Sequence, residues 1–528
     1  MRNLLIRSSS ALFLGVFAIS FVLFSVGIGC SSIYILDESK NAQCAWEMMH
    51  GADPVVPTFN EMLRTDKPPL HYYAMMGSYA LLGKTALAAR LPSALMGALL
   101  MGILALFVRR FATMRVTGWT VAVLLSSLMW ITEFHLAVPD PYLITLVALG
   151  LMAFFHHVQT GLRWSIWAMY AAFSLGVLAK GPVAVALPGV AVVVFMIYTR
   201  RFRWDFIKKL QLPVGILIAA ALIVPWYYLA WKHTDGEWLR GFLFDHNIGR
   251  FANTKEGHGG TFLVTWGYFV LGLLPFVAFG VGAIGRAIRH RHSDLTAFSA
   301  IVVLVFVAFF SVSRTKLPNY TMPCFPFMAI LLAEYLADAA QNGTVATRNV
   351  RGGYWFLLVV AIAIVVGLTV GVRFEPLVMH IRTLGLWLVF LPVGVAIAFA
   401  LANRRRVRTS FFVTVGSFVL AAVTIWTILI PKIDRVNPVA QTLPLLRGAS
   451  TVAYHQTINP SYIFYYGPIR NLKDTLRVRE FLGDPHSLLI TSERKMGQSP
   501  AFWSQYEVVY KAKDIFDSNV TVILRQKR

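Results

Sequence analysis

The chain has 528 residues, 57% of them hydrophobic and only 14% charged. A soluble globular chain is nearer half apolar and a quarter charged, so this composition points to an integral membrane protein. The formal net charge of +23 raises nucleic-acid binding as an option, which the placement of the charges must decide.

In chain order, MRNLLIRSSS leads into apolar residues up to about position 30. That run is too long for a signal-peptide core and no A-x-A site follows it, so it is expected to stay as a span. Further apolar stretches near the ~20 residues that cross a bilayer predict helices over 86–108, 116–132, 137–157, 164–179, 183–199 and 212–231. Others are predicted over 261–285, 295–312, 319–337, 353–372, 383–402 and 410–430. The expectation is an α-helical polytopic membrane protein of about thirteen transmembrane helices. The segment 68–85 reads as amphipathic or re-entrant.

Charge placement supports this layout. With the N-terminus in the cytoplasm, the inside loops hold clusters such as Arg109-Arg110, Arg200-Arg201, Arg286/Arg289/Arg291 and Arg404-Arg405-Arg406. The short outside connections hold only Lys180, Arg314, Lys316, Arg373 and Arg382. This is the positive-inside pattern. The basic excess is therefore topological, with some residues facing anionic lipid heads, and no nucleic-acid partner is expected. An odd number of spans puts the C-terminus outside. Residues 431–528 alternate short apolar runs (SLLIT, EVVYK, VTVIL) with helix-like DTLRVREFL. They predict a small C-terminal α/β domain, separate from the membrane domain 1–430 and able to bury a modest core. Cys30, Cys44 and Cys324 are too few and scattered for a disulfide framework or zinc cluster, although Cys30 and Cys44 could pair in an oxidising compartment.

The polar outliers fall on the outside, in the long loops 31–85 and 232–260 and in short connections. Ionisable groups at a membrane boundary are costly unless paired, which makes them functional candidates. Each also has a bland reading. Asp37 and Glu38 open YILDESKNAQCAWEMM, either as helix-start acids or as carboxylates at a site. In LRTDKPPLHYY, Asp66 and Lys67 precede Pro68-Pro69. That is either a helix stop or a rigid mount that aims a lysine at phosphate. Asp140 in VPDPYL could cap a helix, and Lys180 in LAKGP could snorkel from a helix end. His246 and Arg250 lie four apart in FDHNIGRF; Arg314, Lys316 and Tyr320 lie in SRTKLPNY. Together they suit an anionic, lipid-linked substrate, with cations holding phosphate and acids positioning or activating a nucleophile. GVGAIG at 280–285 matches G-x-G-x-x-G, but no strand precedes it, so helix packing is expected rather than dinucleotide binding. His156-His157 reads as interfacial.

The motifs DESKNAQCAWEMM, GADPVVPTFNEMLRTDKPPLHYY, DPYL, LAKGP, DHNIGRF and KLPNY occur in this order along nearly the whole chain. The sequence thereby resembles the bacterial polyprenyl-phosphate glycosyltransferases, the lipid A aminoarabinose transferases and their relatives, akin to protein O-mannosyltransferases. The resemblance implies a GT-C fold in the inner membrane with its active site at the periplasmic face. The implied donor is a sugar on undecaprenyl phosphate and the implied acceptor lipid A or another periplasmic molecule. No nucleotide cofactor is implied. By matching position, Asp37 and Asp140 carry over as catalytic acids, and Lys67, Arg250 and Lys180 as cations for the donor phosphate. Tyr320 carries over as a cavity tyrosine, with Glu38 and Lys40 beside the first acid as substrate-binding residues. Asp66 with His246 would mark a divalent-metal position seen in some relatives. Lys40-Asn41 stand where the aminoarabinose transferases have Arg-Tyr, which leaves sugar and acceptor open. Protein O-glycosylation and transport of a lipid-linked sugar are the rival functions; no internal repeat of the transporter kind is visible.

Overall fold

A computed structural model describes residues 2–51, 53–248, 260–342, 347–374, 378–381, 383–515 and 519–527. Among these, nine helices are long and apolar enough to cross a membrane, and up to eleven if two bent pairs each count as one span. The chain is a multi-pass membrane protein. All the expected spans fall on helices. The two outside the count of eleven are Arg163–Lys180 and Val183–Tyr198, the first diluted by polar residues and the second only 16 residues long.

The bent pairs have local causes. Met114–Leu125 and Leu128–Phe134 meet at 72° across Ser126-Ser127. The Ser127 hydroxyl accepts from Trp130 N to start the second helix and donates to Gly272 O at 2.5 Å. Gly272 ends Phe262–Gly272, which meets Phe276–Arg289 at 107°, so the two bends lock onto each other. Side chains inserted at Ser and Gly positions are an ordinary source of kinks.

Burial separates core from periphery. Of the apolar window in Met322–Gln341, 94% is buried in protein, against 11% in Trp204–His233. The first is a central helix and the second presents its apolar surface outward. The first span leaves the core through Gly27, at φ +80°, where a Cβ would lie 2.5 Å from Trp426 O. Both the left-handed backbone and the contact demand glycine. Gly27→Ala is expected to cost about 1–3 kcal/mol, read as a lower melting temperature of the detergent-solubilised protein.

Outside the spans, Leu36–His50 and Leu70–Leu82 frame a two-strand hairpin, β1 (Thr58–Phe59) and β2 (Met62–Leu63). Its turn residues Asn60 and Glu61 have φ of 55° and 63°, as a two-residue hairpin turn requires. The Glu47 carboxylate accepts from both turn amides, Asn60 N at 2.8 Å and Glu61 N at 3.2 Å, and from Thr58 Oγ1 at 2.8 Å.

The last span runs on to Asp434. Beyond it lie β3 (Val452–Tyr454), β4 (Arg470–Asn471), β5 (Leu488–Ser492), β6 (Tyr506–Lys513) and β7 (Val520–Gln526). They form one sheet in the order β4-β3-β5-β7-β6. β3 pairs parallel with β4 and β5, and the β5–β7 and β6–β7 pairs are antiparallel. β3 and β5 are buried along their whole length, as a strand covered on both faces should be. This sheet unit clamps the loop 31–85. Asn60 exchanges two hydrogen bonds with the Ile469 backbone at 2.9 and 3.0 Å, Ser39 meets Ser461 at 2.6 Å, and Ile33 N donates to Tyr465 Oη at 2.7 Å.

GVGAIG lies in the helix Gly280–Arg289, where a Cβ on Gly282 would strike the Tyr335 ring at 2.4 Å. It is a packing motif, as expected. All three cysteines are free, so the Cys30–Cys44 pairing is not made.

Candidate active site

Four separate segments meet at one end of the spans. Asp66 and Lys67 come from the loop just before Leu70–Leu82, Asp140 from the start of Asp140–Thr160, and Lys180 from the end of Arg163–Lys180. Ser313, Thr315, Asn319 and Tyr320 come from the connection before the central helix. They line a cavity of about 190 Å³ whose apolar wall includes Leu143, Val183, Phe242, Phe309 and Phe310.

Local structure explains the aim of each group. Pro68 and Pro69 are buried, and Pro69 caps Leu70–Leu82 without a side-chain bond. Two fixed φ angles therefore set the chain direction immediately after Lys67. The buried Arg64 anchors the loop from behind. It donates to Asp66 Oδ2 at 3.1 Å and to Asn41 Oδ1 at 3.0 Å, and its carbonyl accepts from Trp238 Nε1 at 3.0 Å. Trp238 belongs to the short helix Glu237–Arg240, whose end presses Gly241 onto Thr65; a Cβ there would lie 2.6 Å from Thr65 Oγ1.

Asp140 and Lys180 form an ion pair with only 10% and 13% of their side chains exposed. The helix cap is Pro139, without a side-chain bond, so the Asp140 carboxylate serves Lys180 rather than its own helix end. The Lys180 ammonium also lies 5.3 Å from the centre of the Tyr320 ring, a cation–π distance. It faces into the protein and does not snorkel. Glu133, buried in the second half of a bent span, accepts a long bond from Asn319 Nδ2 at 3.5 Å. Its carboxyl group lies close enough to Asp140 and Lys180 to interact with both electrostatically.

The surroundings of Arg64 are electrostatically simple. Burial, reinforced by the charges of Arg64 and Lys67, holds the His71 imidazole well below its ordinary pKa, so it is neutral near pH 7. Burial pushes the Cys44 thiol up to about 12. Burial opposes the charge of Arg64 too, but Tyr72, Cys44, Asp66 and Asp37 together favour it and hold the guanidinium above its ordinary value. Among the residues lining the cavity, Lys67 and Lys180 face Asp66 and Asp140, two basic against two acidic side chains, with Arg64 paired to Asp66 behind the wall.

Several expected residues lie elsewhere. Asp37 is exposed in the first turn of Leu36–His50, capped by Ile35, and Lys40 is half-buried one turn on; neither lines the cavity. Glu38 requires a correction as a substrate-binding residue. It is fully buried and holds Arg90 through two bonds at 2.8 and 2.9 Å while accepting from Ala137 N at 2.8 Å. Its carboxylate is committed to the scaffold. Lys316 donates to the carbonyls of Phe310, Ser311 and Ser313 at 3.3, 2.9 and 2.7 Å, closing the end of Asp294–Val312. Arg250 and the His246 side chain lie outside the described residues. The Asp66–His246 metal position thus lies partly outside the described residues, and among the described residues no group of three His, Cys, Asp or Glu could hold an ion. His156 bonds Ser165 at 2.7 Å and His157 bonds Leu162 O at 3.0 Å, a turn-stabilising role.

A crystal structure of ArnT from Cupriavidus metallidurans in the apo state superimposes with a TM-score of 0.79 over 98% of both chains, at 22% identity. The same protein bound to undecaprenyl phosphate gives 0.78 over 97% of both. The chain has the GT-C fold. Curated relatives point the same way as this GT-C architecture. An undecaprenyl phosphate-alpha-4-amino-4-deoxy-L-arabinose arabinosyl transferase of Shewanella sediminis is 28% identical over 329 residues, 61% of this chain. Its namesake from Erwinia tasmaniensis is 30% identical over 341 residues, 62% of this chain. The chain spans 59% and 60% of those two relatives. The family model described as dolichyl-phosphate-mannose-protein mannosyltransferase matches residues 66–231. That stretch contains Asp66, Lys67, Asp140 and Lys180, so family model, relatives and GT-C fold agree with the resemblance read from the motifs.

Sequence reasoning missed Arg64, Glu133 and Asn319. Glu133 carried a usable signal, a lone acid in the apolar run LMWITEFHLAV. Arg64 carried none, because nothing in the sequence reveals that it turns inward to Asn41.

Proposed function

We propose that the protein transfers 4-amino-4-deoxy-L-arabinose, or a related sugar, from undecaprenyl phosphate to lipid A at the periplasmic face of the bacterial inner membrane. The observation that carries this reading is the single cavity shared by Asp66, Lys67, Asp140, Lys180 and Tyr320. The names of the relatives supply the sugar, carrier and reaction type. In this reading the N-terminus is cytoplasmic, and the C-terminal unit 431–528 lies with the cavity on the periplasmic side.

The sugar–phosphate bond of the donor breaks as the acceptor oxygen attacks the anomeric carbon from the opposite side. Configuration inverts, and the bonding pair leaves on polyprenyl phosphate. That anion is stable as formed, so Lys67, and Lys180 steadied by Asp140, act by stabilising charge at the leaving oxygens. Arg250 joins them by its motif position. A lipid A phosphate arrives ionised and needs alignment. A hydroxyl acceptor needs a base, for which Asp37 is the candidate. The donor brings its own activated bond, so no nucleotide cofactor enters.

The deciding experiment is mass spectrometry of lipid A and of exported proteins, with and without this protein. A pentosamine-sized addition on lipid A supports the reading. Sugar appearing on protein instead selects the mannosyltransferase-like alternative that the family description favours. Unchanged lipid and protein glycans, with a lipid-linked sugar moved between leaflets, would select transport. Where the acceptor is a hydroxyl, Asp37→Asn is expected to abolish transfer while expression and folding persist; near-normal transfer removes Asp37 from the chemistry.

A further inference from the structure

A second polar cavity lies at the far end of the central helix. Phe325–Asn342 begins beside the Asn319–Tyr320 connection and runs 18 residues, or ~27 Å at the rise of an α-helix. Its final turns contribute Ala337, Ala340 and Gln341 to a cavity of about 360 Å³. Arg115 and Arg408 enter it from two different helices, each near a helix start, Met114–Leu125 and Val407–Thr424. The flat wall is aromatic. Trp119 and Phe412 have ring centres 5.0 Å apart, and the Arg408 guanidinium lies 5.7 Å from the Phe412 ring.

The charge there is one-sided. Among the described residues no acid lines this cavity. Glu334 and Asp338, on the same helix, are both engaged by Arg286 at 2.6 Å. The last turn of Ala86–Phe111 adds Arg109 and Arg110, and the connection before Val407 adds Arg404, Arg405 and Arg406. Two guanidinium groups converging between helix starts suit a phosphate, which Arg binds through its planar fork.

The adjoining surface says what the phosphate is attached to. From Phe412 an exposed apolar face runs along the span through Gly416 to Leu420, spaced four residues apart and so aligned on one side. Nothing lies within 4 Å of where a Gly416 Cβ would be, which leaves a notch between the two larger side chains. A soluble anion would have no use for that track, whereas a hydrocarbon chain fits it.

We infer that Arg115 and Arg408 form a binding site for the phosphate headgroup of an anionic membrane lipid, whose chain lies along Phe412, Gly416 and Leu420. The site is on the membrane face opposite the candidate active site. Basic pockets between helix ends commonly hold such headgroups.

The test uses the full chain in detergent micelles doped in turn with phosphatidylglycerol, phosphatidylcholine or a polyprenyl phosphate, with retained lipid counted by native mass spectrometry. The polyprenyl phosphate arm is run in both the wild-type and the Lys67→Met background, so that lipid held in the first cavity is told apart from lipid held in the second. Retention of one equivalent of either anionic lipid over phosphatidylcholine, falling about tenfold in Arg115→Gln/Arg408→Gln, is the expected result. Whichever anionic lipid is retained more names the source of the phosphate. The control Arg404→Gln/Arg405→Gln removes the same charge from the adjoining loop and should retain lipid normally. Gly416→Leu should weaken lipid retention by filling the track. Equal loss in the control pair, equal retention of phosphatidylcholine, or displacement of the lipid by inorganic phosphate at matching concentration would each overturn the assignment.

Discussion

Lys67→Met is expected to lower the turnover of sugar transfer by about 10²–10³-fold, the range found when one preorganised electrostatic group is removed from a site of developing charge. The side chain projects into the cavity from a backbone fixed by two buried prolines, so its charge needs no reorganisation as the donor bond breaks. The loss should appear mainly in kcat, because the interaction strengthens as negative charge builds on the leaving phosphate. Lys67→Arg should recover part of it by restoring the charge with a different reach. Arg64 and Trp238 hold the loop independently of Lys67, so the methionine variant should melt at the wild-type temperature. Turnover within a few-fold of wild type, in protein of unchanged stability, would take Lys67 out of the transfer step.

Arg90→Ala is expected to be the most damaging substitution for folding. Arg90 is 2% exposed and Glu38 0%. Besides its two bonds to Glu38, Arg90 donates to the carbonyls of Ile28, Ser31 and Ser32 at 2.8, 3.0 and 2.9 Å. Removing the guanidinium strands a buried carboxylate and three buried carbonyls, a loss of about 3–5 kcal/mol. The protein should fail to survive purification as a monodisperse species, or melt well below wild type. Replacing both partners, as Glu38→Gln with Arg90→Met, should recover much of the loss, because the stranded charge disappears. A single Arg90→Ala variant that melts like wild type would mean that the pair does not organise the loop 31–85.

The two variants separate function from scaffold within one loop system. Asp37 and Glu38 are neighbours in sequence, yet Glu38 turns inward to Arg90 while Asp37 is exposed. Sequence could read both as acids in the first turn of a helix, but not which one the fold would consume. In the same way Lys180 and Lys316 both stand at helix ends. One faces a buried acid and an aromatic ring, and the other closes the carbonyls of its own connection.

The spans, the membrane class and the order of the motifs were determined by the sequence alone, because each depends on properties carried by a short stretch. Twenty apolar residues must leave water wherever they occur, and a proline pair stiffens the chain wherever it stands. The tertiary structure alone decided which charges meet. Asp140 and Lys180 are forty positions apart, and Arg64 finds Asn41 across a hairpin. Partners so distant are chosen by how the helices pack and bend, at Ser127 against Gly272 for example, and no local pattern encodes that choice.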